Sequence, residues 1–416
     1  MVLVRYLVCS VVVFLITSSH LALVALASEP VLIGLNVPLS GAYSRQGEDQ
    51  LRAYRLAIKI LNSQGGILGR EVVYSVRDTK TKAGVARNNA LDLIRDEAVM
   101  ITGGSSSASA IAQAEVCQQE GVVFMAGLSH SNATTGRDGH RHSFRWFNNG
   151  HQTAKAMAGL LADKFGDGAG YVFLYADYTW GQTVQQSLQQ VVEGAGARTI
   201  LKMPTKLGTK SFISLLLRAQ KARPDVLVLV LFGQDMINCL KQVTLLNLRS
   251  EMAVVVPLME LNMAHSLGAE VMQGVITSMP WYHGMAQRYE GSRRFVDLFE
   301  ARYQKKPGSS AATAWVNIFQ YAAAVERARS FDAQKVIEAL EGHRFQLLGE
   351  EEYWRSWDHQ GIHPTYIAVG KSPAASRDEW DLFEIISSKQ GEELARSREE
   401  NPVALEPFDE RPQGEP

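Results

Sequence analysis

Cysteine is scarce in this chain, and neither sign of charge dominates it. Only 3 of the 416 residues are cysteines, at positions 9, 117 and 239. So few thiols exclude a fold that depends on a disulfide framework, and separate buried thiols at Cys117 and Cys239 are favoured over a bridge between them. The 42 basic residues nearly balance the 43 acidic residues. This balance excludes a broad attraction to nucleic acid or anionic lipid, so any ligand must be recognised locally.

The sequence also lacks the short motifs of common enzyme classes. It contains no Gly-x-Ser-x-Gly, no His-Glu-x-x-His and no Walker loop. His140 and His142 lie two residues apart, but without further ligands at suitable spacing they are interpreted as loop histidines and not as a metal site. We therefore expect a protein that binds a small molecule, is not an enzyme and needs no cofactor.

The first 27 residues have the composition of a cleavable secretory signal. Arg5 supplies the positive charge, an apolar run extends from Leu7 to Thr17, and Ala25-Leu26-Ala27 places small residues where signal peptidase cuts. The alternative is a retained membrane anchor, but polar residues at positions 18–20 leave the apolar run short for a stable span. The sequence predicts export to the periplasm and a mature chain that begins at Ser28.

Strands and helices are expected to alternate through most of the mature chain. Segments such as Val31–Val37 and Asp225–Phe232 are apolar on both faces, which is typical of buried parallel strands. Stretches with a helical period of apolar residues lie between such segments. The pattern predicts an α/β fold of two lobes, each a doubly wound, mainly parallel sheet flanked by helices.

Several chain crossings between the two lobes are expected, because the alternation restarts after residue 147 and the segment after residue 280 has too few strands for a third unit. The predicted division is a first part of the N-terminal lobe (28–147), a first part of the C-terminal lobe (148–280), a second part of the N-terminal lobe (281–345), a hinge with completion of the C-terminal lobe (346–390), and a tail (391–416). The tail is charged, contains proline and has little apolar periodicity, so it is expected to be flexible.

A glycine- and serine-rich junction has the composition of an anion-binding loop. Gly103-Gly104-Ser105-Ser106-Ser107 lies between a predicted buried strand and a predicted helix. Glycines allow the backbone to approach a ligand, while serine hydroxyls and the N–H groups of the helix start can hold a carboxylate. Capping of the helix by Ser105 or Ser106 is the alternative. Three consecutive serines exceed what a cap needs, so binding is favoured.

Other candidate ligand-binding residues follow neighbouring predicted strands. Ligands of open α/β sheets bind at the carboxyl ends of strands, so these residues are expected to line the same cleft. Aromatic and acidic side chains there would suit the apolar body and the ammonium group of an amino-acid-like solute. The candidates are Ser129, His130 and Ser131 in the first unit, and Tyr178, Trp180, Gln234 and Glu260 in the second.

The chain resembles the branched-chain amino-acid-type (type I) periplasmic substrate-binding proteins of ABC transporters. The resemblance extends from about Val31 to about Pro373 and implies the type I two-lobed fold with multiple hinge crossings. It is carried by Ile33-Gly34, Pro38-Leu39-Ser40-Gly41, Gly47, Ala57-Ile58, Asn62, Gly65-Gly66-Ile67-Leu68-Gly69-Arg70, Asp78, Phe144-Arg145, Trp180-Gly181 and Arg223-Pro224-Asp225.

The resemblance also implies a mechanism and a set of ligand contacts. Two lobes close on a small polar solute, and a permease in the inner membrane recognises the closed form of a monomeric binding protein. By position, Ser107, Ser129 and His130 are implied to hold the carboxylate of the ligand, and Glu260 to meet its ammonium group. Trp180 stands where the family has a tyrosine. His130 and Trp180 both depart from the amino-acid pattern, so a larger, aromatic or non-amino-acid solute is also open.

The alternative function is a ligand-sensing periplasmic protein of the same fold, acting in regulation rather than uptake. A predicted cleavable signal with no later apolar span argues against a receptor ectodomain. A cytoplasmic regulator would lack the signal altogether. Uptake is therefore the favoured function.

Overall fold

A computed structural model of the protein describes residues 29–408. The predicted signal peptide and its cleavage site lie outside the described residues. Within 29–408, no helix combines the length and the apolar character needed to cross a membrane.

The first lobe is built on a sheet of five parallel strands. Their spatial order is β2-β1-β3-β4-β5. Helices α1 to α3 connect them along the chain. The strands are β1 (Val31–Val37), β2 (Val72–Asp78), β3 (Met100–Gly103), β4 (Val123–Ala126) and β5 (Ser143–Arg145), and the helices are α1 (Ser44–Ser63), α2 (Ala83–Arg95) and α3 (Ser107–Glu120).

The second lobe is built on a sheet of seven strands. Five of them run parallel, and two later strands add antiparallel at one edge, in the order β15-β14-β10-β9-β8-β6-β7. The strands are β6 (Gly170–Ala176), β7 (Arg198–Thr205), β8 (Val226–Val230), β9 (Ala253–Val256), β10 (Ile276–Met279), β14 (Thr365–Gly370) and β15 (Phe383–Lys389). The helices are α4 (Gly150–Phe165), α5 (Thr179–Gly194), α6 (Ile213–Lys221), α7 (Gly233–Leu245) and α8 (Leu261–Met272), with 3₁₀ turns at Leu248–Ser250 and His283–Gln287.

The chain passes between the two sheets three times. It leaves the first sheet after β5, returns to the first lobe after β10, and reaches β14 through a small antiparallel sheet. That small sheet consists of β11 (Arg344–Phe345), β12 (Glu352–Trp354) and β13 (Gly361–Ile362). The returning segment forms α9 (Glu290–Tyr303), α10 (Ser309–Ala328) and α11 (Ala333–Leu340).

Both faces of the first sheet are covered, which explains why its strands are apolar on both sides. Ile33, Leu35 and Val37 of β1 share a buried cluster with residues of α1 and of the returning helices. A smaller buried cluster on the opposite face includes Ile101 and Cys117. The first lobe is therefore complete only after the chain has come back from the second.

The segment 391–408 differs from the expected flexible tail. It begins with a short helix, α12 (Gly391–Leu394). Arg396 then donates a hydrogen bond to the carbonyl oxygen of Asn132 at 3.1 Å, and Asn401 donates to that of Thr135 at 2.9 Å. Leu394 also packs into the core of the second lobe. Apolar periodicity gave no sign of this packing, because isolated apolar side chains and buried polar side chains attach the segment.

Candidate ligand-binding cleft

Two glycines form the turn between the end of β3 and the start of α3. Gly103 has φ of 135° and Gly104 has φ of 76°, which are left-handed conformations that favour glycine. A Cβ on Gly103 would lie 2.2 Å from the carbonyl oxygen of Asn36, and one on Gly104 would lie 2.9 Å from Cα of Ala110. These glycines thereby bring the N-terminus of α3 to the carboxyl edge of the first sheet.

The three serines that follow have three different roles. Ser106 is the N-cap of α3 and accepts a hydrogen bond from the backbone N–H of Ser109 at 3.2 Å. Ser105 donates to Oε1 of Gln50 at 2.7 Å. Ser107 accepts two hydrogen bonds, both at 3.1 Å, from the hydroxyl of Ser129 and from the backbone N–H of Ser131. The hydroxyl hydrogen of Ser107 therefore remains available to a ligand.

His130 and Trp180 meet between the lobes. Nε1 of Trp180 donates to Nδ1 of His130 at 2.9 Å. An indole nitrogen is a donor only, so Nδ1 of His130 must accept and Nε2 must carry the proton. Nε2 lies 2.8 Å from the hydroxyl of Thr153 and donates to it. Burial, assisted by the charge of Arg145, lowers the pKa of His130 to about 3, so this imidazole is neutral.

The buried guanidinium of Arg145 fixes the loop that carries His130. It donates to the backbone carbonyl of Ser131, to the hydroxyl of Thr135, and to Oε1 of Gln360 at 2.6 and 2.9 Å. Burial lowers the pKa of Arg145 well below its ordinary value. Because Gln360 belongs to the third crossing, this network ties the candidate binding loop to the hinge.

A small cavity lies between the lobes. The hydroxyls of Tyr43 and Tyr178 meet across it at 2.8 Å, and Gln46 donates to Asn262 at 2.7 Å nearby, so the lobes are in contact around it. Its lining is Tyr43, Ser105, Ser107, Leu128 and His130 from the first lobe and Tyr178, Trp180, Phe232 and Leu258 from the second.

Five of the ten predicted site residues line this cavity, namely Ser105, Ser107, His130, Tyr178 and Trp180. Ser106, Ser129 and Ser131 do not line the cavity. Ser106 caps α3, and Ser129 and Ser131 donate hydrogen bonds to the hydroxyl oxygen of Ser107. Gln234 is also outside, because its side chain is exposed and donates to Asn238 on the same helix.

Glu260 is not among the residues that line this cavity, so its expected place opposite a ligand ammonium stays a prediction. Within residues 29–408, its buried Oε1 has no hydrogen-bond partner. Its buried carboxyl accepts the backbone N–H of Ser310 at 3.0 Å, and the carboxyl of Asp49 accepts that of Gly308 at 3.2 Å. The unpaired N–H groups at the start of α10 attract both carboxyls. Burial raises the pKa of Asp49 to about 6 and that of Glu260 to about 7, with the charge of Asp49 also raising the pKa of Glu260.

Four lining residues were absent from the sequence-based candidates. Tyr43 follows β1, Leu128 follows β4, and Phe232 and Leu258 follow β8 and β9. The position of Tyr43 after the carboxyl end of β1 could have identified it as a candidate ligand-binding residue. Leu128, Phe232 and Leu258 could not be separated from core residues, because an apolar side chain at a strand end has the same pattern whether it faces a core or a ligand.

The comparisons with known proteins agree with this architecture. A family model described as periplasmic binding protein matches residues 30–375. The chain belongs to this family. A periplasmic binding protein from Burkholderia mallei has a TM-score of 0.85 at 25% identity, covering 90% of this chain and 99% of that one. An amino acid ABC transporter substrate-binding protein from Pseudomonas fluorescens has a TM-score of 0.84 at 28% identity, covering 91% and 100%.

A relative with a Leu/Ile/Val-binding name points the same way. Leu/Ile/Val-binding protein homolog 8 from Brucella abortus is 24% identical over 325 residues, which are 74% of this chain and 79% of the relative. The predicted resemblance to branched-chain amino-acid-type binding proteins and the two-lobed α/β fold are thereby confirmed. The chain is a periplasmic binding protein of the kind that works with ABC transporters, and it is not an enzyme.

Proposed function

We propose that this periplasmic binding protein captures a small carboxylate-bearing solute between its lobes and delivers it to the permease of an ABC importer in the inner membrane. The single observation that carries the proposal is the uncommitted hydroxyl hydrogen of Ser107, which lines the interlobe cavity at the N-terminus of α3. A hydroxyl donor and the positive end of a helix together favour an anionic oxygen.

Closure of the lobes would couple binding to recognition by the permease. Tyr43 and Tyr178 are supplied by different lobes and meet at the cavity. A solute that contacts both walls stabilises the closed arrangement by its difference in affinity for the closed and open states. The permease then needs only to distinguish closed from open.

The test is calorimetry on the mature protein after a thermal-shift screen has identified a solute. Ser107→Ala should weaken binding by about 1.5–3 kcal/mol, or about ten- to over a hundredfold, because it removes a charge-assisted hydrogen bond. Ser106→Ala is the matched control, since that hydroxyl caps the same helix outside the cavity. Equal affinities of the two variants would contradict the proposal.

Export, oligomeric state and the choice between uptake and sensing are part of the same proposal. N-terminal sequencing of periplasmic protein should begin at Ser28, and sedimentation should give a monomer. Deleting the gene should abolish uptake of the solute. A deletion strain that takes up the solute normally but no longer responds to it would favour the sensing alternative.

A further inference from the structure

We infer that the segment 391–408 positions the candidate binding loop, residues 129–135, and thereby sets the affinity for solute in addition to the stability of the protein. The inference rests on the proposed function for the place at which the solute binds. It is carried by the two ends of the segment, which pack in different lobes, and by the backbone groups of the loop that the segment holds.

The segment connects the two lobes once more, in addition to the three crossings between the sheets. At its start, Leu394 belongs to the core of the second lobe. At its end, Phe408 packs against the main buried cluster of the first lobe. The carboxyl of Glu406 accepts from Nδ1 of His140 at 2.7 Å and from the backbone N–H of Arg141 at 3.0 Å, also in the first lobe. The match to the family model ends at residue 375, so this connection lies outside the matched region.

Between these ends, two buried side chains hold the backbone of the loop. Nη2 of Arg396 donates to the carbonyl oxygens of Asn132 at 3.1 Å and of Thr135 at 3.5 Å. Nδ2 of Asn401 donates to the carbonyl oxygen of Thr135 at 2.9 Å and to Oδ2 of Asp358 at 2.9 Å. A buried carbonyl that loses its donor is costly, so these bonds restrict the path of the loop backbone.

The held residues are neighbours of the groups that face the cavity. Ser131, which precedes Asn132, donates its backbone N–H to the hydroxyl oxygen of Ser107 at 3.1 Å. Ser107 and His130 both line the cavity. A displacement of Asn132 would therefore move the N–H group that orients the hydroxyl of Ser107.

The loop also binds α5, the helix that supplies Trp180 to the cavity. Nδ2 of Asn132 donates to the hydroxyl of Ser187 at 2.8 Å, and the backbone N–H of Asn132 donates to the hydroxyl of Thr183 at 3.3 Å. Asn132 thus links the segment to both walls of the cavity, because its carbonyl accepts from Arg396 while its side chain and N–H bind α5. Loss of the bond from Arg396 would loosen both walls together.

A role in stability alone predicts a different result. If the segment only adds burial, its loss lowers the free energy of unfolding and leaves the folded cavity unchanged. Positioning instead changes the loop within the folded protein, which is the state that binds solute. The two roles are separated by a control variant that destabilises the protein at a distance from the loop.

Hydrogen exchange on the mature, solute-free protein tests the position of the loop. Arg396→Ala/Asn401→Ala should exchange the amides of residues 131–133 at least about tenfold faster than the parent, because the loop loses its anchors. Asn401→Ala alone, which removes no charge, should shift exchange in the same direction. Leu216→Ala is the matched control, because this buried side chain of α6 lies in the core of the second lobe and its loss leaves a cavity there. Unchanged exchange in the double variant, or an equal rise in Leu216→Ala, overturns the inference.

Calorimetry with L-leucine, a carboxylate-bearing solute, as the probe measures the consequence for binding. The double variant should bind leucine at least about fivefold more weakly than the parent, whereas Leu216→Ala should bind it equally well. Equal affinities of the double variant and the parent overturn the inference, and a loss of affinity in Ser107→Ala then leaves the proposed function standing. If the parent does not bind leucine, the exchange experiment alone decides the inference.

Discussion

Trp180 of α5 donates a hydrogen bond of 2.9 Å to His130 in the loop after β4, and this bond joins the two lobes at the edge of the interlobe cavity. It requires a neutral imidazole with the proton on Nε2. Aromatic residues surround it, since Phe147 contacts the imidazole edge-on and Phe232 contacts the indole. The pair therefore combines a directional bond with apolar contact area, both of which are lost when the lobes separate.

Trp180→Phe should weaken solute binding, because it keeps an aromatic ring but leaves Nδ1 of His130 without its donor. The expected loss is about 1–3 kcal/mol, or about five- to over a hundredfold in affinity. Trp180→Ala should weaken binding further and reduce the compaction that small-angle scattering detects when solute is added. Trp380→Phe is the control, since Trp380 stacks on His265 away from the cavity. If Trp180→Ala binds and closes like the parent, the indole is only a packing residue of its own lobe.

Solute affinity should fall as the pH rises from 6.5 to 8. Asp49 in α1 and Glu260 after β9 come from different lobes and share the start of α10. We expect separation of the lobes to expose these carboxyls to water and to lower their pKa values toward ordinary ones, so the closed form should bind more protons. The two protonated carboxyls favour the closed form fully below about pH 4. This contribution is lost as the pH rises through about 6 for Asp49 and about 7 for Glu260. For Glu260 alone the change from pH 6.5 to 8 is about fourfold in affinity.

The groups that face this acid pair limit the window of the measurement. Arg52 lies 3.7 Å from Asp49 and, with Lys305, favours the charged carboxylate of Asp49. His130 has the opposite effect on closure, because its neutral form is required and its ordinary pKa is 6.5. Since an imidazole with its ordinary pKa is half charged at pH 6.5, the two effects oppose each other up to about pH 7.5, and the net fall in affinity is smaller than that for Glu260 alone. Glu260→Gln should flatten the pH dependence, and an unchanged slope in this variant would contradict the assignment.

Arg145→Lys should destabilise the protein, because an ammonium cannot reach all the acceptors of the planar guanidinium. In the variant, the backbone carbonyl of Ser131 and Oε1 of Gln360 would compete for the single ammonium group. We expect a loss of about 2–4 kcal/mol in the free energy of unfolding measured by urea denaturation. Arg344→Lys, at an exposed ion pair with Glu351, should change it by less than about 0.5 kcal/mol. Equal losses of unfolding free energy in the two variants would contradict the structural role of Arg145.

Truncation after residue 390 should lower stability, whereas truncation after residue 408 should have no comparable effect. The longer deletion removes Arg396 and Asn401, whose side chains bind the carbonyls of Asn132 and Thr135 in the candidate binding loop. The expected loss is about 1–3 kcal/mol. Urea denaturation of both truncated chains would measure this loss. Indistinguishable midpoints would contradict a stabilising role for the segment 391–408.

The fold was more predictable from the sequence than the site was. The segment from Val31 to Val37 is apolar on both faces and predicts a strand of a covered parallel sheet. Such a pattern lies within a few neighbouring residues, so the sequence alone reveals it. Ser107 and Trp180 could be found because they follow strands and have polar or large side chains. The place of Glu260 depends on Ser310, fifty residues away in the sequence, and a partner at that distance leaves no local pattern. The attachment of Asn401 was missed for the same reason.

Each lobe encloses one thiol in its interior. Cys117 lies in a buried cluster of the first lobe and Cys239 in the core of the second, and burial raises the pKa of both. Neither can react with a thiol reagent until its own surroundings open, so the rate of modification at each position is a rate of local unfolding. Different rates at the two cysteines would resolve the unfolding of one lobe from that of the other. Equal rates would show that the three crossings make them a single cooperative unit.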